Sequence, residues 1–191
     1  NSSYDLINKH YDLWEYDPAA DSWTQKQSFS PNGLSNIEYV AATGIESYGY
    51  FIANNFLYRY DPSANQWSVS SSFPWSYSQG GVAVTIGNKG YFGLGFGNTT
   101  FWEFNPGTGT WTQLASGPSN LGYATLSFVL NNKIYVGNYN SFYEFDPSSN
   151  LWKQLPDVPV FLNYPAAFSI NNTGYFATGL DGVANDLFYS F

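Results

Sequence analysis

A recurring segment dominates the 191-residue chain and constrains its fold more than any other feature. A stretch of aromatic, strand-forming residues ends at Asp-Pro or Asn-Pro, and a tryptophan stands five residues after each proline. The four tryptophans are Trp23, Trp67, Trp111 and Trp152, at spacings of 44, 44 and 41 residues. A fixed period of this length is typical of an architecture built from one repeated structural unit.

Each recurring segment predicts a β-hairpin. The side chain before proline can accept hydrogen bonds from the following backbone, and proline presets the φ angle of a type I turn. Three residues after the proline stand Asp21, Asn65, Gly109 or Asn150, which are residue types that tolerate a left-handed backbone. The chain therefore turns back on itself, and the returning strand carries the tryptophan.

A second, more apolar hairpin alternates with the first. Its opening strand is predicted at residues 81–86, 123–130 and 164–170, each followed by a two-residue turn of Gly-Asn or Asn-Asn type. An earlier copy is predicted at residues 39–43, with a slightly longer turn before Gly49. Each period thus contains four short antiparallel strands, named a to d in chain order.

A repeated four-stranded meander without helical periodicity predicts an all-β fold, a β-propeller whose sheets bury their faces against one another. We assign residues 1–191 to one propeller domain or propeller fragment, with repeats at about 11–30, 37–73, 81–117, 123–158 and 164–191. The Asp-Pro-x-x-Asn-x-Trp stretches and the Gly-Tyr-Phe opening of strand b resemble kelch repeats of exported bacterial proteins. The resemblance implies a kelch-type propeller with about four blades' worth of strands.

The strand count leaves the closure of the propeller open. The pattern gives seventeen strands, beginning with a c–d pair and finishing with an a–b–c set that ends in residues 186–191. A four-bladed ring of four-stranded sheets needs sixteen strands. Three interpretations fit: a segment of a larger propeller, a four-bladed ring whose terminal strands compete, or a piece that pairs an open edge with another subunit.

Composition excludes several classes of function. The formal net charge of −8 disfavours nucleic acid as a partner, and no apolar run is long enough for a membrane span. The chain contains no cysteine, and its one histidine, His10, lies in the irregular beginning of the sequence. We therefore expect no enzymatic activity, no cofactor and no metal site.

The repeated residues are assigned to structure. The four tryptophans are expected to pack between blades, and Glu15, Glu103 and Glu144, which recur at one position of strand c, are expected on the solvent face. Function is expected in the loops that break the repeat, on the propeller face formed by the d–a and b–c connections. The candidate ligand-binding residues in these loops are Trp75, Tyr77, Asn120, Tyr139, Phe161 and Asn163.

Aromatic rings alternating with amides suit recognition of a glycan or a peptide, although Trp75 and Phe161 could equally fill the hub of the propeller. The leading hypothesis is a non-catalytic extracellular binding or adhesion module for a glycan or protein. The alternative is a structural subunit that self-associates through edge strands near Leu13 and Phe188. Few lysines and no thiols are typical of a secreted or surface-displayed protein.

Overall fold

The computed structural model describes residues 11–30, 41–53, 55–74, 80–119, 121, 126–139, 141–158, 165–177, 180–181, 183–184 and 188–190. All regular elements within these ranges are β-strands, so the all-β prediction is confirmed. Within the same ranges, no helix has the length and apolar character to cross a membrane.

The strands form a series of antiparallel meanders in chain order. A first hairpin contains β1 (Leu13–Asp17) and β2 (Ser22–Lys26). Sheet 2 contains β3 (Ala42–Ile45), β4 (Tyr48–Ala53), β5 (Phe56–Asp61) and β6 (Gln66–Ser72). Sheet 3 contains β7 (Val82–Ile86), β8 (Lys89–Gly93), β9 (Phe101–Asn105) and β10 (Thr110–Gln113). Sheet 4 contains β11 (Leu126–Leu130), β12 (Lys133–Asn138), β13 (Ser141–Asp146) and β14 (Leu151–Gln154).

The last described sheet departs from this regular plan. Sheet 5 contains β15 (Ala166–Ile170), β16 (Thr173–Ala177) and, after a small ladder of β17 (Leu180–Asp181) with β18 (Val183–Ala184), the strand β19 (Phe188–Ser190). β19 pairs with β16 in the position of a c strand, as the sequence predicts. The β17–β18 ladder was not predicted from the sequence.

The turns explain why the repeated motif folds as it does. In sheet 2, the carboxylate of Asp61 accepts hydrogen bonds from the backbone N–H groups of Ser63 and Ala64 at 2.9 and 3.1 Å. Asn65 then adopts a φ angle of 51°, which reverses the chain into β6. One turn prediction is wrong: β3 and β4 are joined by only two residues, because Glu46 takes the left-handed conformation with φ of 54° and allows a tight reversal.

The hydrophobic core lies between successive sheets. The face of sheet 3 that carries Phe104 and Trp111 packs against sheet 2, and the opposite face, with Tyr91 and Phe101, packs against sheet 4. We call these the preceding face and the following face of a sheet. Contacts across the three interfaces include the ring pairs Tyr50 with Phe104, Phe101 with Phe145 and Phe142 with Phe176, at centroid distances of 5.9, 5.2 and 6.4 Å.

At one position of strand b, sheets 3 and 5 carry a glycine that lies close to the preceding sheet, whereas sheet 4 carries the buried Ile134 there. A methyl group added at Gly90 would lie 2.7 Å from Cδ1 of Ile45 in sheet 2, and one added at Gly174 would lie 2.4 Å from the ring of Phe128 in sheet 4. Close approach of the sheets therefore requires glycine at these two positions. Four-stranded meanders stacked face to face in chain order are the architecture of a β-propeller, so the predicted fold class is confirmed.

Candidate functional site

Three of the four repeated tryptophans lie between neighbouring sheets. The indole N–H groups of Trp67, Trp111 and Trp152 donate hydrogen bonds to the end of strand d of the preceding unit or to the residues just after it. Their acceptors are the carbonyl oxygen of Gln27, the hydroxyl of Ser71 and the carbonyl oxygen of Ala115, at 2.9, 2.9 and 3.0 Å. The rings also meet aromatic partners across the interface, such as Phe29 against Trp67 at 4.9 Å. These hydrogen bonds and ring contacts hold successive units of the repeat together.

Trp23 does not follow this pattern, and the prediction that it packs between blades is wrong. Its side chain is 65% exposed, and its described ring contact is Tyr16 on the neighbouring strand at 5.0 Å. The first hairpin consists of strands c and d, and β1 and β2 make no contact with another described strand. The tryptophan-bearing face of this hairpin is therefore open.

A groove of about 560 Å³ lies between the first hairpin and sheet 2. One wall is the segment Tyr11, Asp12 and Leu13 at the start of β1. The opposite wall is the preceding face of sheet 2, with Gly49 and Phe51 of β4 at its centre. The remaining lining includes the rings of Phe29, Tyr60 and Trp67. The groove is aromatic, with the backbone of one strand along its side.

The groove has a filled counterpart at the interface between sheets 2 and 3. Gly49 and Gly90 occupy the same place in strand b of sheets 2 and 3. At Gly90 the adjacent space is filled by Ile45 of the preceding sheet, whereas an added methyl group at Gly49 would meet only Cβ of Tyr60, at 3.6 Å. The groove therefore occupies the volume that strands a and b of a preceding sheet fill at the next interface.

The edge of β1 beside the groove is also unlike its repeat equivalents. β5, β9 and β13 each pair with strand b on one side and strand d on the other. Within the described residues, β1 pairs only with β2. Its second edge carries backbone N–H and C=O groups that a further strand could pair with.

The recurring glutamate of strand c is paired with side chains of strand b in sheets 3 and 4. The prediction that it lies on the solvent face is therefore wrong for two of its three copies. In sheet 3, Glu103 accepts hydrogen bonds from Lys89 and Tyr91 of strand b at 2.6 and 2.9 Å. In sheet 4, Glu144 accepts them from Lys133 and Tyr135 at 2.5 and 2.8 Å. These carboxylates are mostly buried because the neighbouring strand covers and pairs them.

The pKa values of these groups reflect the pairing. Burial raises the pKa of Glu144, but the hydrogen bonds from Lys133 and Tyr135 outweigh it, so the pKa lies below the usual range. Burial, followed by the hydrogen bond to Glu144, raises the pKa of Tyr135 to about 12. The same two causes, with Glu103 as the acceptor, raise the pKa of Tyr91. The phenols therefore stay protonated and act as donors at neutral pH.

The copy of this glutamate on β1 is placed differently. Glu15 forms an ion pair with Lys26 of β2 at 2.9 Å, and its side chain is 52% exposed. Strand b, which supplies the lysine and tyrosine partners in sheets 3 and 4, has no counterpart beside β1 among the described strands. Among the described residues, Glu15 thus stands at the open edge of β1 with Lys26 as its ion-pair partner.

The equivalent position in sheet 2 carries Arg59. Its guanidinium lies 4.6 Å from the ring centroid of Tyr48 on β4, a cation–π arrangement. In sheets 2, 3 and 4 this position of strand c therefore interacts with strand b, by an ion pair in sheets 3 and 4 and by a ring contact in sheet 2.

Most of the loop residues predicted to bind a ligand lie outside the described residues, so their role stays a prediction. These residues are Trp75, Tyr77, Asn120, Phe161 and Asn163. Tyr139 is described: it follows β12 with a φ angle of 56°, and its backbone N–H donates to the side-chain oxygen of Asn138 at 2.9 Å. In the described part of the chain, no three histidine, cysteine, aspartate or glutamate side chains group as metal ligands.

The groove was not predicted from the sequence. The available signal was the c–d pair with which the predicted strands begin, from which an edge near Leu13 was expected to take part in self-association. The shape of the space beside that edge depends on where Phe29 and the preceding face of sheet 2 come to lie. Sequence reasoning identified the edge near Leu13 and missed the cavity.

Comparison with known proteins adds evidence on the fold. No family model matches the sequence, and no curated protein matches it either. The chain is similar to the solved structure of YjhT, with a TM-score of 0.75 and 18% sequence identity, over 90% of this chain and 68% of that one. This likeness supports the propeller fold, and the kelch resemblance of the sequence stays a prediction.

Proposed function

We propose that this protein is a non-catalytic binding module that takes an extended polypeptide segment as an added strand on β1. The observation that carries the proposal is the 560 Å³ aromatic groove beside the open edge of that strand. An added strand would pair with the backbone of β1 and place alternate side chains in the groove.

The groove favours apolar or aromatic side chains from such a segment. At the interface of sheets 2 and 3, the corresponding volume is filled by Ile45 and Tyr50, which pack against Phe92 and Phe104. The groove offers Gly49 and Phe51 in the places of Gly90 and Phe92. A bound segment with aliphatic and tyrosine side chains would therefore reproduce contacts that the fold already uses.

The charge at the edge favours a basic segment. Glu103 and Glu144 each accept hydrogen bonds from a lysine and a tyrosine that stand two residues apart on strand b. Glu15 occupies the same place on β1, and the net charge of −8 attracts cationic ligands. The segment that fits best contains Lys-x-Tyr followed by an aromatic or aliphatic residue.

The chemistry of this edge favours a protein ligand over a glycan, because a strand edge presents a row of backbone groups spaced for another peptide. A glycan at the loop face stays a prediction that depends on residues outside the described ranges. An extracellular setting goes with the proposal and rests on composition alone. Antibody labelling of intact cells of the source organism tests this setting, and labelling only after permeabilisation would contradict it.

The binding proposal is tested with a peptide that has the predicted chemistry. A synthetic peptide of residues 82–93, Val-Ala-Val-Thr-Ile-Gly-Asn-Lys-Gly-Tyr-Phe-Gly, contains an apolar strand a and the Lys-x-Tyr of strand b. We expect saturable binding by calorimetry, weakened by salt, together with slower hydrogen exchange in the amides of β1.

Two variants separate the edge site from general charge attraction. Glu15→Gln should weaken peptide binding several-fold, whereas Glu46→Gln removes the same charge from an exposed turn and should leave it unchanged. Absence of binding, or equal binding to both variants, would contradict the proposed site.

A further inference from the structure

Large aromatic and aliphatic side chains are exposed on two opposite faces of the stack of sheets. The preceding face of the first hairpin exposes Trp14, Tyr16 and Trp23, by 47, 44 and 65%. We call these three residues the head face. The following face of sheet 5 exposes Phe168, Ile170 and Phe188, by 41, 54 and 60%. With Tyr175, which lies among them, these residues form the tail face.

The equivalent positions are buried or half-buried where two described sheets meet. Tyr16 and Trp23 of the head face correspond to Phe104 and Trp111 in sheet 3. Phe104 is 0% exposed there, because the following face of sheet 2 covers it. The surface of sheet 3 that corresponds to the head face therefore packs against the following face of the sheet before it.

The tail face corresponds in the same way to a buried surface. Phe168, Tyr175 and Phe188 match Phe128, Tyr135 and Phe142 of sheet 4 in register, and those three are nearly fully buried against sheet 5. The tail rings are already arranged for packing: Tyr175 stacks on Phe168 at 5.4 Å and on Phe188 at 5.5 Å. The tail face is thus an ordered aromatic surface of the type that a preceding face covers.

We propose that the tail face of one molecule docks on the head face of a second copy of this chain, in a head-to-tail arrangement that repeats the packing between successive sheets. Every copy of the chain carries both a head face and a tail face. A second copy therefore always supplies the matching surface, whereas an unrelated partner need not. The inference is independent of the proposed peptide site, because the groove lies on the other side of β1 from β2, whereas the head face is the broad side of the β1–β2 hairpin.

Charge allows this contact despite the acidity of the chain. The cross-strand register places Trp14, Tyr16, Trp23 and Gln25 on the head side of the hairpin. On the tail side it places Ala, Phe, Ile, Thr, Tyr and Ser residues. The tail residues are uncharged, whereas two carboxylates adjoin the head face: Asp12 accepts a hydrogen bond from the indole N–H of Trp14 and Asp21 accepts one from the hydroxyl of Tyr16, at 2.5 and 2.7 Å. Salt screens the repulsion between two molecules of net charge −8 and should strengthen the association, whereas it should weaken binding of a basic peptide.

The size of the two faces sets the strength of the contact. Half-exposed aromatic side chains contribute on the order of 100 Å² each, so the exposed residues together bury on the order of 600 Å². Stable complexes bury about 1,200 Å² or more. We therefore expect weak association that depends on concentration and, because the contact is heterologous, continues beyond the dimer.

Sedimentation velocity over a concentration series tests the proposal with paired variants. Trp23→Ser damages the head face and Phe168→Ser damages the tail face, so each variant alone should stay monomeric. A mixture of the two retains one intact head and one intact tail, and it should form dimers that do not grow further. Leu151→Ser removes another exposed apolar side chain, 65% exposed on β14, and should associate like the unchanged protein.

The outcomes are decisive in both directions. Circular dichroism and thermal unfolding of each variant establish that a loss of association does not come from unfolding. A monomer at all concentrations, in low and high salt, would overturn the proposal, as would a mixture of the two variants that stays monomeric. Glu15→Gln should associate normally, so failure of the peptide site and failure of self-association are separable.

Discussion

Trp67 donates its indole N–H to the carbonyl oxygen of Gln27 at 2.9 Å, although the two residues are 40 positions apart and belong to successive units of the repeat. A second hydrogen bond joins the same two units: the backbone N–H of Gln27 donates to the side-chain oxygen of Asn65 at 2.7 Å. Ala115 makes the same two kinds of bond: its carbonyl oxygen accepts from the indole N–H of Trp152, and its backbone N–H donates to the side-chain oxygen of Asn150. The Asn-x-Trp part of the motif therefore stabilises the contact with the preceding unit.

Replacing Trp67 with phenylalanine should lower the free energy of unfolding by about 1–2 kcal/mol. The variant keeps an aromatic ring beside Phe29 but loses the hydrogen bond and leaves the Gln27 carbonyl without this donor. Urea unfolding measures the change. Trp23→Phe is the matched control, and because Trp23 is mostly exposed its effect should stay within about 0.5 kcal/mol. Equal effects of the two substitutions would contradict the assignment.

Gly90→Ala should destabilise the protein by about 1–3 kcal/mol, because the added methyl group would lie 2.4 Å from the ring of Phe92 and 2.7 Å from Cδ1 of Ile45, and these buried side chains would have to move. Gly49→Ala tests the same strand position next to the groove, where the added methyl group would lie 3.6 Å from Cβ of Tyr60, an ordinary van der Waals distance. That variant should be neutral or slightly more stable. Thermal unfolding of both compares them, and a larger loss at Gly49 would show that the groove is filled.

The hairpins, their turns and the stacking of the sheets could be predicted because they depend on local residues. Asp61, Pro62 and Asn65 determine a turn within a few positions of sequence, and the regular spacing of tryptophans implies a repeated contact. The exposure of Trp23 could not be predicted from the repeat, since Trp23 occupies the same position of the motif as Trp67, five residues after the proline. What differs is whether another sheet covers it, which is a property of the assembled fold.

Glu144→Gln should lower stability at neutral pH by about 1–2 kcal/mol, since it replaces the carboxylate that accepts from Lys133 and Tyr135. The pKa of Glu144 is lowered in the folded protein, so its contribution is present above the ordinary value of about 4.3 and is lost as the pH falls through the folded pKa. The two proteins should therefore converge in acid. Urea unfolding at several pH values tests this, and a constant difference down to the most acidic pH would contradict it.

Tyr135 should lose its proton later than exposed tyrosines in an alkaline titration. Its pKa is raised to about 12 from an ordinary value of about 10, so the folded state is favoured below the ordinary value and loses this contribution as the pH rises toward 12. Tyr135→Phe should remove one late component from the tyrosinate absorbance curve. Loss of an early component instead would mean that the hydroxyl is not buried beside Glu144.

The sequence identified the strand-c glutamates but placed them on the solvent face. An acid between aromatic residues gives no sign of a partner on the adjacent strand until the register is known. Once β8 and β9 are aligned, Tyr91 lies directly opposite Glu103, and Lys89 reaches the same carboxylate. Pairing across strands, rather than composition, decides the environment of these groups.

Hydrogen exchange of the indole N–H groups, followed by NMR with each signal assigned through a Trp→Phe variant, tests the central claim most directly. The claim is that the sheets stack through their tryptophans while the first hairpin leaves one such face uncovered. We predict slow exchange for Trp67, Trp111 and Trp152 and fast exchange for Trp23, measured at a concentration where the protein is monomeric. Equal exchange rates for all four indoles would contradict the account.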